Sequence, residues 1–246
     1  MTATALLPVG EEGKTLGSWV YDRLRDDIIA GLLAPGQKLT LDTLKERYAV
    51  GATPLREALY RLSSSMLVIA EDQRGFRVAP VTLMHLEDII ASRQHVEVLV
   101  LRDAFRNGDN SWIARIHGAF LELHDTRMYD ESTGLITREW ENVHRNFHRA
   151  VLSSAKSQAL LHFQTMLWDH AARYRNIAGP AVLEESTLDG QHEKLWRAIE
   201  SRDEEMACIL LRRHIMGAAA PVFAAVADLE RHKTGQRHRG QIFEKI

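Results

Sequence analysis

The sequence predicts a mainly α-helical chain with one small β-hairpin, and three observations lead to this prediction. Apolar residues recur at helical spacing through most of the 246 residues. The period changes only at 67–70 and 76–79, where two short strands flank a turn that contains Gly75. Beyond Pro80 every pattern is helical and the links between patterns are short. The expected architecture is three helices and a hairpin, followed by an antiparallel bundle of six or seven helices.

The composition is that of an ordinary globular protein and excludes several classes. Hydrophobic residues make up 45% of the chain and charged residues 26%, and the net charge is -2. A single cysteine rules out an internal disulfide framework. No apolar run approaches the roughly 18 residues that span a bilayer, and the N-terminus does not look like a signal peptide. We therefore expect a cytoplasmic protein that does not associate with a membrane.

The first domain is predicted at 12–80. Helical patterns cover 15–30 and 40–48, and they are separated by Gly31 and a turn at 34–36. A third helix follows the break at 50–54. Thr53 is expected to cap its N-terminus, and Pro54 suits its first helical position. Three helices followed by a hairpin are the layout of a winged helix-turn-helix.

The second domain is predicted at 81–230 and contains only helices. These are expected at 82–105, 111–129, 137–153, 157–177, 183–200 and 203–230. Pro221 is expected to kink or split the last of them. Residues 231–246 are polar and basic without periodicity, which predicts a flexible tail.

Three segments of the first domain resemble the GntR family of bacterial regulators. They are PGQKL at 35–39, TPLREALYRL at 53–62 and RGFRV at 74–78. The resemblance implies a DNA-binding transcription regulator. Within this frame, Arg56 near the start of the third helix is placed to pair with a guanine edge in the major groove. The other expected DNA contacts are Arg47, Thr53, Arg61, Arg74 and Gly75.

Two positions depart from the family pattern. Gly51 and Ala52 stand where the family usually has Ser-Arg, so a typical DNA contact is missing and the operator sequence stays open. Met66 replaces a glycine that usually precedes the first wing strand. The first 80 residues carry no net charge, so one copy has little attraction for DNA. We therefore expect a homodimer that binds double-stranded DNA at an inverted repeat.

The second domain resembles the sensor domain of the FadR subgroup of this family, which in many members binds a metal and a small carboxylate. The matching positions are His144, His148, His192 and His214. His144 and His148 are four residues apart and share a helix face, while His192 and His214 come level across the turn at 201–203. The resemblance therefore implies a divalent transition metal, zinc or nickel. His144 stands where relatives commonly have aspartate, which leaves more of the ion's charge for an anionic effector.

Arg93 matches a position that faces the effector in relatives, where a guanidinium can clamp a carboxylate. An arginine bonded to a neighbouring helix is the other interpretation. The DNA-binding segments are similar to regulators of glutarate and 4-aminobutyrate catabolism, which suggests a small dicarboxylate such as glutarate.

The function predicted from the sequence is a ligand-responsive repressor of a carboxylate catabolic pathway. The alternative is a helical protein-interaction or metal-binding module with a degenerate DNA head. A metallohydrolase is disfavoured, because Arg145 follows His144 where the His-Glu-x-x-His motif places its general base. We expect no enzymatic activity.

Overall fold

A computed structural model describes residues 15–71, 74–133, 136–178 and 185–243, with side chains omitted at 185–189 and 233–243. By contacts between residues the chain divides into two compact units. Within the described ranges, the first comprises residues 15–81 together with 172–177, and the second comprises 82–171 and 178–243. The inclusion of 172–177 in the first unit was not expected from the sequence.

The first unit contains three helices and a three-stranded antiparallel sheet. The helices are α1 (Leu16–Ile29), α2 (Leu41–Tyr48) and α3 (Ala52–Ser64), and the strands are β1 (Lys38–Leu39), β2 (Val68–Glu71) and β3 (Gly75–Val78). The sheet has the order β1-β3-β2, with Leu39 opposite Phe76 and Val68 opposite Val78. The predicted winged helix-turn-helix is confirmed, and β1 is an additional strand that the sequence analysis missed.

A single apolar core holds this unit together. It is formed by the inward face of each helix and by one face of the hairpin, where each buried side chain removes apolar surface from water. Its main members are Val20, Leu24, Ile28, Leu44, Leu55, Leu59, Leu62, Phe76 and Val78. The core fixes the orientation of α3, so the residues of α3 that are not in it face outwards.

The second unit contains six helices within the described ranges, except that residues 172–177 of the fourth group with the first unit. They are α4 (Leu83–Asn107), α5 (Asn110–Asp125), α6 (Arg138–Leu152), α7 (Gln158–Ala178), α8 (Glu185–Glu200) and α9 (Glu204–Phe243). Threonine or aspartate side chains cap four of their N-termini: Thr82 for α4, Asp109 for α5, Thr137 for α6 and Asp203 for α9. The predicted helical second domain is confirmed.

Helix α9 differs from the prediction in two respects. Pro221 lies inside it, so the predicted split is wrong while the kink stays a prediction, and the helix continues to Phe243 through most of the predicted tail. Its stretch Glu204–His232 is also long and apolar enough to cross a membrane by length and composition, although the sequence analysis expected no such run. Alanine-rich turns around Pro221 raise the average hydropathy there. Core helices of soluble proteins have the same property, and His214 of this stretch is buried.

Candidate metal centre and nucleic-acid interface

Four buried histidines converge within the second unit. His144 and His148 lie on α6, His192 on α8 and His214 on α9, and each is at most 6% exposed. One ring nitrogen from each lies within 4.8 Å of the others. The structure therefore brings together all four histidines that the sequence singled out.

The α6 pair is positioned by the apolar face of its helix. Trp140, Val143, Phe147 and Val151 are buried on the same side, so a histidine at 144 or 148 must point inwards with them. The Trp140 ring stacks on His144 at 4.5 Å between ring centres. The ring centres of His192 and His214 are also 4.5 Å apart, as expected for residues that come level across the turn at 201–203.

The ring orientations suit metal coordination. The Nε2 atoms of His144 and His148 are 3.1 Å apart, and ligands of a tetrahedral zinc ion lie about 3.3 Å apart. His214 donates from Nδ1 to Gln191 Oε1 at 3.1 Å, which is the tautomer that carries its lone pair on Nε2. Gln191 was not found from the sequence, although its position beside His192 could have suggested it.

Burial keeps His148 and His192 in the neutral form that binds metals. Desolvation lowers the pKa of His192 to about 4. The pKa of His148 is lowered well below its ordinary value by burial, and then by the charges of the other three histidines and of Arg93. Both ring nitrogens of His192 are buried without a hydrogen-bond partner among the described residues. A donor set of neutral imidazoles with unused lone pairs fits a divalent transition metal.

Arg93 is buried on α4 and packs against an aromatic side chain beside the histidines. Its Nε donates to Glu97 Oε1 at 2.8 Å, and its Cζ lies 4.9 Å from the centre of the Trp168 ring. The Trp168 ring centre is in turn 5.0 Å from that of His148. The ion pair is thus made within α4 and not to a neighbouring helix. Glu97 and Trp168 were missed from the sequence, although Arg93 and Glu97 have the i, i+4 spacing of a helical ion pair.

The outer face of α3 carries three of the residues expected to contact DNA. Thr53, Arg56 and Arg61 are all exposed. The prediction that Thr53 caps this helix is wrong: the N-cap is Gly51, in extended backbone and without a side-chain hydrogen bond. The helix therefore begins two residues earlier than expected, and Pro54 is its third residue, where a missing N–H still costs nothing.

Two of the expected arginines also make contacts inside the first unit. Arg47 Nη2 pairs with Asp27 Oδ2 at 2.8 Å, and the same oxygen accepts from the Tyr48 hydroxyl at 2.6 Å. The guanidinium of Arg61 lies 4.1 Å from the centre of the Tyr21 ring. Both contacts tie these arginines to α1, because Asp27 and Tyr21 lie on that helix.

Arg74 and Gly75 are exposed at the turn between β2 and β3. Gly75 has a φ of +93°, a backbone conformation that glycine adopts without steric cost. Residues 72–73 of the same turn lie outside the described residues.

Comparison with known families divides the chain in the same way. Residues 16–78 match the family described as bacterial regulatory proteins, gntR family, and residues 88–217 match the FCD domain. The HTH-type transcriptional repressor GlaR of Escherichia coli is 35% identical over 200 residues, covering 80% of this chain and 90% of GlaR. The HTH-type transcriptional regulator BphR of Paraburkholderia xenovorans is 34% identical over 204 residues, covering 82% of this chain and 83% of BphR.

Solved structures show the same fold. The structure of E. coli McbR/YncC covers 86% of this chain and 98% of its own, with a TM-score of 0.71 and 23% identity. A putative transcriptional regulator GntR from Rhodococcus sp. RHA1 covers 85% of this chain and 98% of its own, with a TM-score of 0.66 and 22% identity.

Proposed function

This chain belongs to the gntR family of bacterial transcription regulators and carries an FCD domain, and from this premise we propose that it is a metal-containing repressor controlled by a small carboxylate. Its relatives are regulators and not enzymes, which confirms that part of the prediction. The name of GlaR, a repressor, supports the proposed direction of control. As for other regulators of this family, the proposed location is the cytoplasm.

The first unit is the proposed DNA-binding head. α3 enters the major groove, where Arg56 pairs with a guanine edge and Thr53 contacts a phosphate. Arg74 and Gly75 at the hairpin turn follow the backbone beside it. Arg47 and Arg61 contribute positive charge at the edges of this surface. Two heads in a homodimer read the two halves of an inverted repeat, and together they double the number of phosphate contacts.

The second unit is the proposed sensor. His144, His148, His192 and His214 would hold zinc or nickel, which would act as a Lewis acid toward the effector's oxygens. Because all four ligands are neutral, the ion keeps its two positive charges, and these attract an anion. Arg93 lies near the same cluster and would pair with an effector carboxylate. Glutarate is the proposed first probe, since the DNA-binding segments are similar to regulators of its catabolism.

The observation that carries the metal proposal is the approach of four buried histidine nitrogens to within 4.8 Å of one another. Metal analysis of the purified full chain tests it. We expect one zinc or nickel ion per chain, and loss of most of it in His148→Ala. His95→Ala is the matched control, since His95 is exposed on α4. Wild-type protein that holds no metal at a stoichiometric level after incubation with either ion contradicts the proposal.

A further inference from the structure

Glu97 is a fully buried carboxylate, and one of its two oxygens has no hydrogen-bond partner among the described residues. It is 0% exposed, and its Oε1 accepts the hydrogen bond from Arg93 Nε. Its Oε2 is also buried and receives no hydrogen bond from the described ranges of the chain. An unsatisfied charged acceptor inside a protein is costly, so such an atom points to a donor supplied from outside the chain.

The position of Glu97 connects this atom to the proposed effector site. Arg93 links Glu97 to Trp168, and Trp168 lies against His148 of the metal cluster. The ion pair and the histidine cluster thus lie against the same aromatic ring. A ligand that spans from the metal to Arg93 therefore comes within reach of Glu97.

The charges decide what kind of donor fits there. Arg93 and Glu97 neutralise each other, and the four imidazoles are neutral, so a divalent ion leaves two positive charges in the site. A dicarboxylate balances them. An ammonium group on the ligand would add a positive charge beside a guanidinium and a metal, whereas a hydroxyl group donates a hydrogen bond and adds no charge.

We propose that Glu97 reads a hydroxyl group of the effector, so that the effector is a hydroxycarboxylate. The ligand hydroxyl donates to Glu97 Oε2 while a ligand carboxylate pairs with Arg93. This inference rests on the proposed effector site and adds to it a residue that determines specificity.

Matched pairs of acids that differ by one hydroxyl test the inference. Calorimetric titration of the metal-loaded full chain compares propionate with lactate, succinate with malate, and glutarate with 2-hydroxyglutarate. We expect the hydroxylated member of at least one pair to bind about tenfold tighter or more, as for a hydrogen bond to a charged group. Equal affinities within every pair overturn the inference. Tighter binding of the amino acid that carries an ammonium group in place of the hydroxyl also overturns it.

The variant Glu97→Gln assigns the preference to this side chain. Glutamine keeps the size of the residue and an acceptor for Arg93 Nε, but it places an NH₂ group where Oε2 was. We expect the hydroxyl preference to fall to about threefold or less, with binding of the plain acid retained. Glu122→Gln, at an exposed position of α5, is the control and should keep the wild-type preference. A Glu97→Gln protein that folds and keeps the full preference contradicts the role of Glu97.

The two proposals fail in different ways. If plain and hydroxylated acids bind with equal affinity, the proposed carboxylate sensor stands and only the role of Glu97 is contradicted. If none of the six acids binds the metal-loaded chain, the proposed sensor fails and the inference fails with it. The wild-type comparison tests the preference for a hydroxyl group even if Glu97→Gln does not fold.

Discussion

Arg56 is the residue on which base recognition depends in the proposed DNA complex. It is exposed on α3, whereas Arg47 and Arg61 are engaged with Asp27 and Tyr21. A guanidinium pairing with guanine is worth about 1–3 kcal/mol of discrimination. Arg56 is therefore the side chain whose loss should affect specificity most.

We expect Arg56→Ala to weaken binding to the protein's own promoter by about 5- to 150-fold, measured by gel shift at fixed salt. Arg115→Ala removes the same charge from the exposed surface of α5 and should leave the affinity unchanged. An Arg56→Ala protein that binds the promoter as tightly as the wild type contradicts the assignment of α3 as the recognition helix.

Met66 shows the cost of a departure from the family pattern. It stands where a glycine is usual, and its φ of 60° is in the left-handed region, which is unfavourable for a residue with a Cβ. Its side chain is 48% exposed, so little packing offsets this cost. The substitution at this position therefore weakens the turn between α3 and β2.

Met66→Gly should stabilise the chain by about 1 kcal/mol, because relief of the backbone strain exceeds the extra entropy of glycine in the unfolded state. Chemical denaturation measures the change. Met84→Gly is the control, since Met84 is exposed in the first turn of α4 and glycine there should destabilise. A loss of stability in Met66→Gly would show that the Met66 side chain contributes more than its exposure suggests.

At the scale of elements, the junction of α4 and α5 depends on a close approach between Gly108 and Trp112. A Cβ at position 108 would overlap the Trp112 ring and lie 2.8 Å from the carbonyl oxygen of Ala104. The Trp112 side chain cannot shift to make space, because it is fully buried and its indole N–H donates to the carbonyl groups of Ala150 and Val151. The turn therefore sets the packing of α5 on α6.

Gly108→Ala should lower the free energy of unfolding by about 1–3 kcal/mol through overpacking. Gly118→Ala is the matched control: a Cβ there meets nothing within 4 Å, so alanine in mid-helix should stabilise by about 0.5–1 kcal/mol. Denaturant titration distinguishes the two. Equal effects of the two substitutions would contradict the tight packing at Trp112.

Most helix starts could be predicted from the sequence because their signals are local, with the start of α3 as an exception. Thr15, Thr40, Thr82 and Thr137 lie where the predicted helices begin, and all four are N-caps in the structure. Strand β1 could not be predicted, since two residues carry no periodicity and the strand exists only through its pairing with β3. The continuation of α9 beyond Glu230 was missed for a similar reason, because residues 231–241 are all polar or glycine and show no apolar periodicity.

The candidate site was predictable in part. The spacing of His144 and His148 and the resemblance to a family led to the four histidines. The partners that complete the site come from other helices or carry no motif: Trp168 approaches from α7, and Gln191 meets His214 across the α8–α9 turn. Such contacts depend on tertiary packing, which a local pattern does not encode.

For the whole molecule, the buried histidines make stability depend on pH and on metal. Burial lowers the pKa of His192 in the folded chain to about 4, from an ordinary value of 6.5. The unfolded chain therefore takes up protons first as the pH falls. The stability that comes from the neutral ring is present above about pH 6.5 and is lost as the pH falls through about 4. For His192 alone, the loss in the free energy of unfolding is about 3 kcal/mol.

We therefore expect the Tm of the metal-free chain to fall as the pH is lowered from 7 to 4, and less steeply in His192→Gln, which does not titrate. Added zinc or nickel should raise the Tm at pH 7, and glutarate should raise it further only when metal is present. Thermal-shift measurements with and without a chelator provide the test. A Tm that responds to neither pH nor metal contradicts the role of the histidine cluster.

The six residues of α7 that group with the first unit have a consequence for synthesis. Asn176 donates to the carbonyl oxygen of Ile29 at 2.9 Å, Arg173 donates to that of Ala79, and Ile177 packs on Gly31. These partners are 94 to 147 residues away from α7 along the chain. The DNA-binding head is thus incomplete when its own segment leaves the ribosome, and it gains its last contacts only after most of the sensor has been translated. A fragment that ends at residue 81 would lack them permanently.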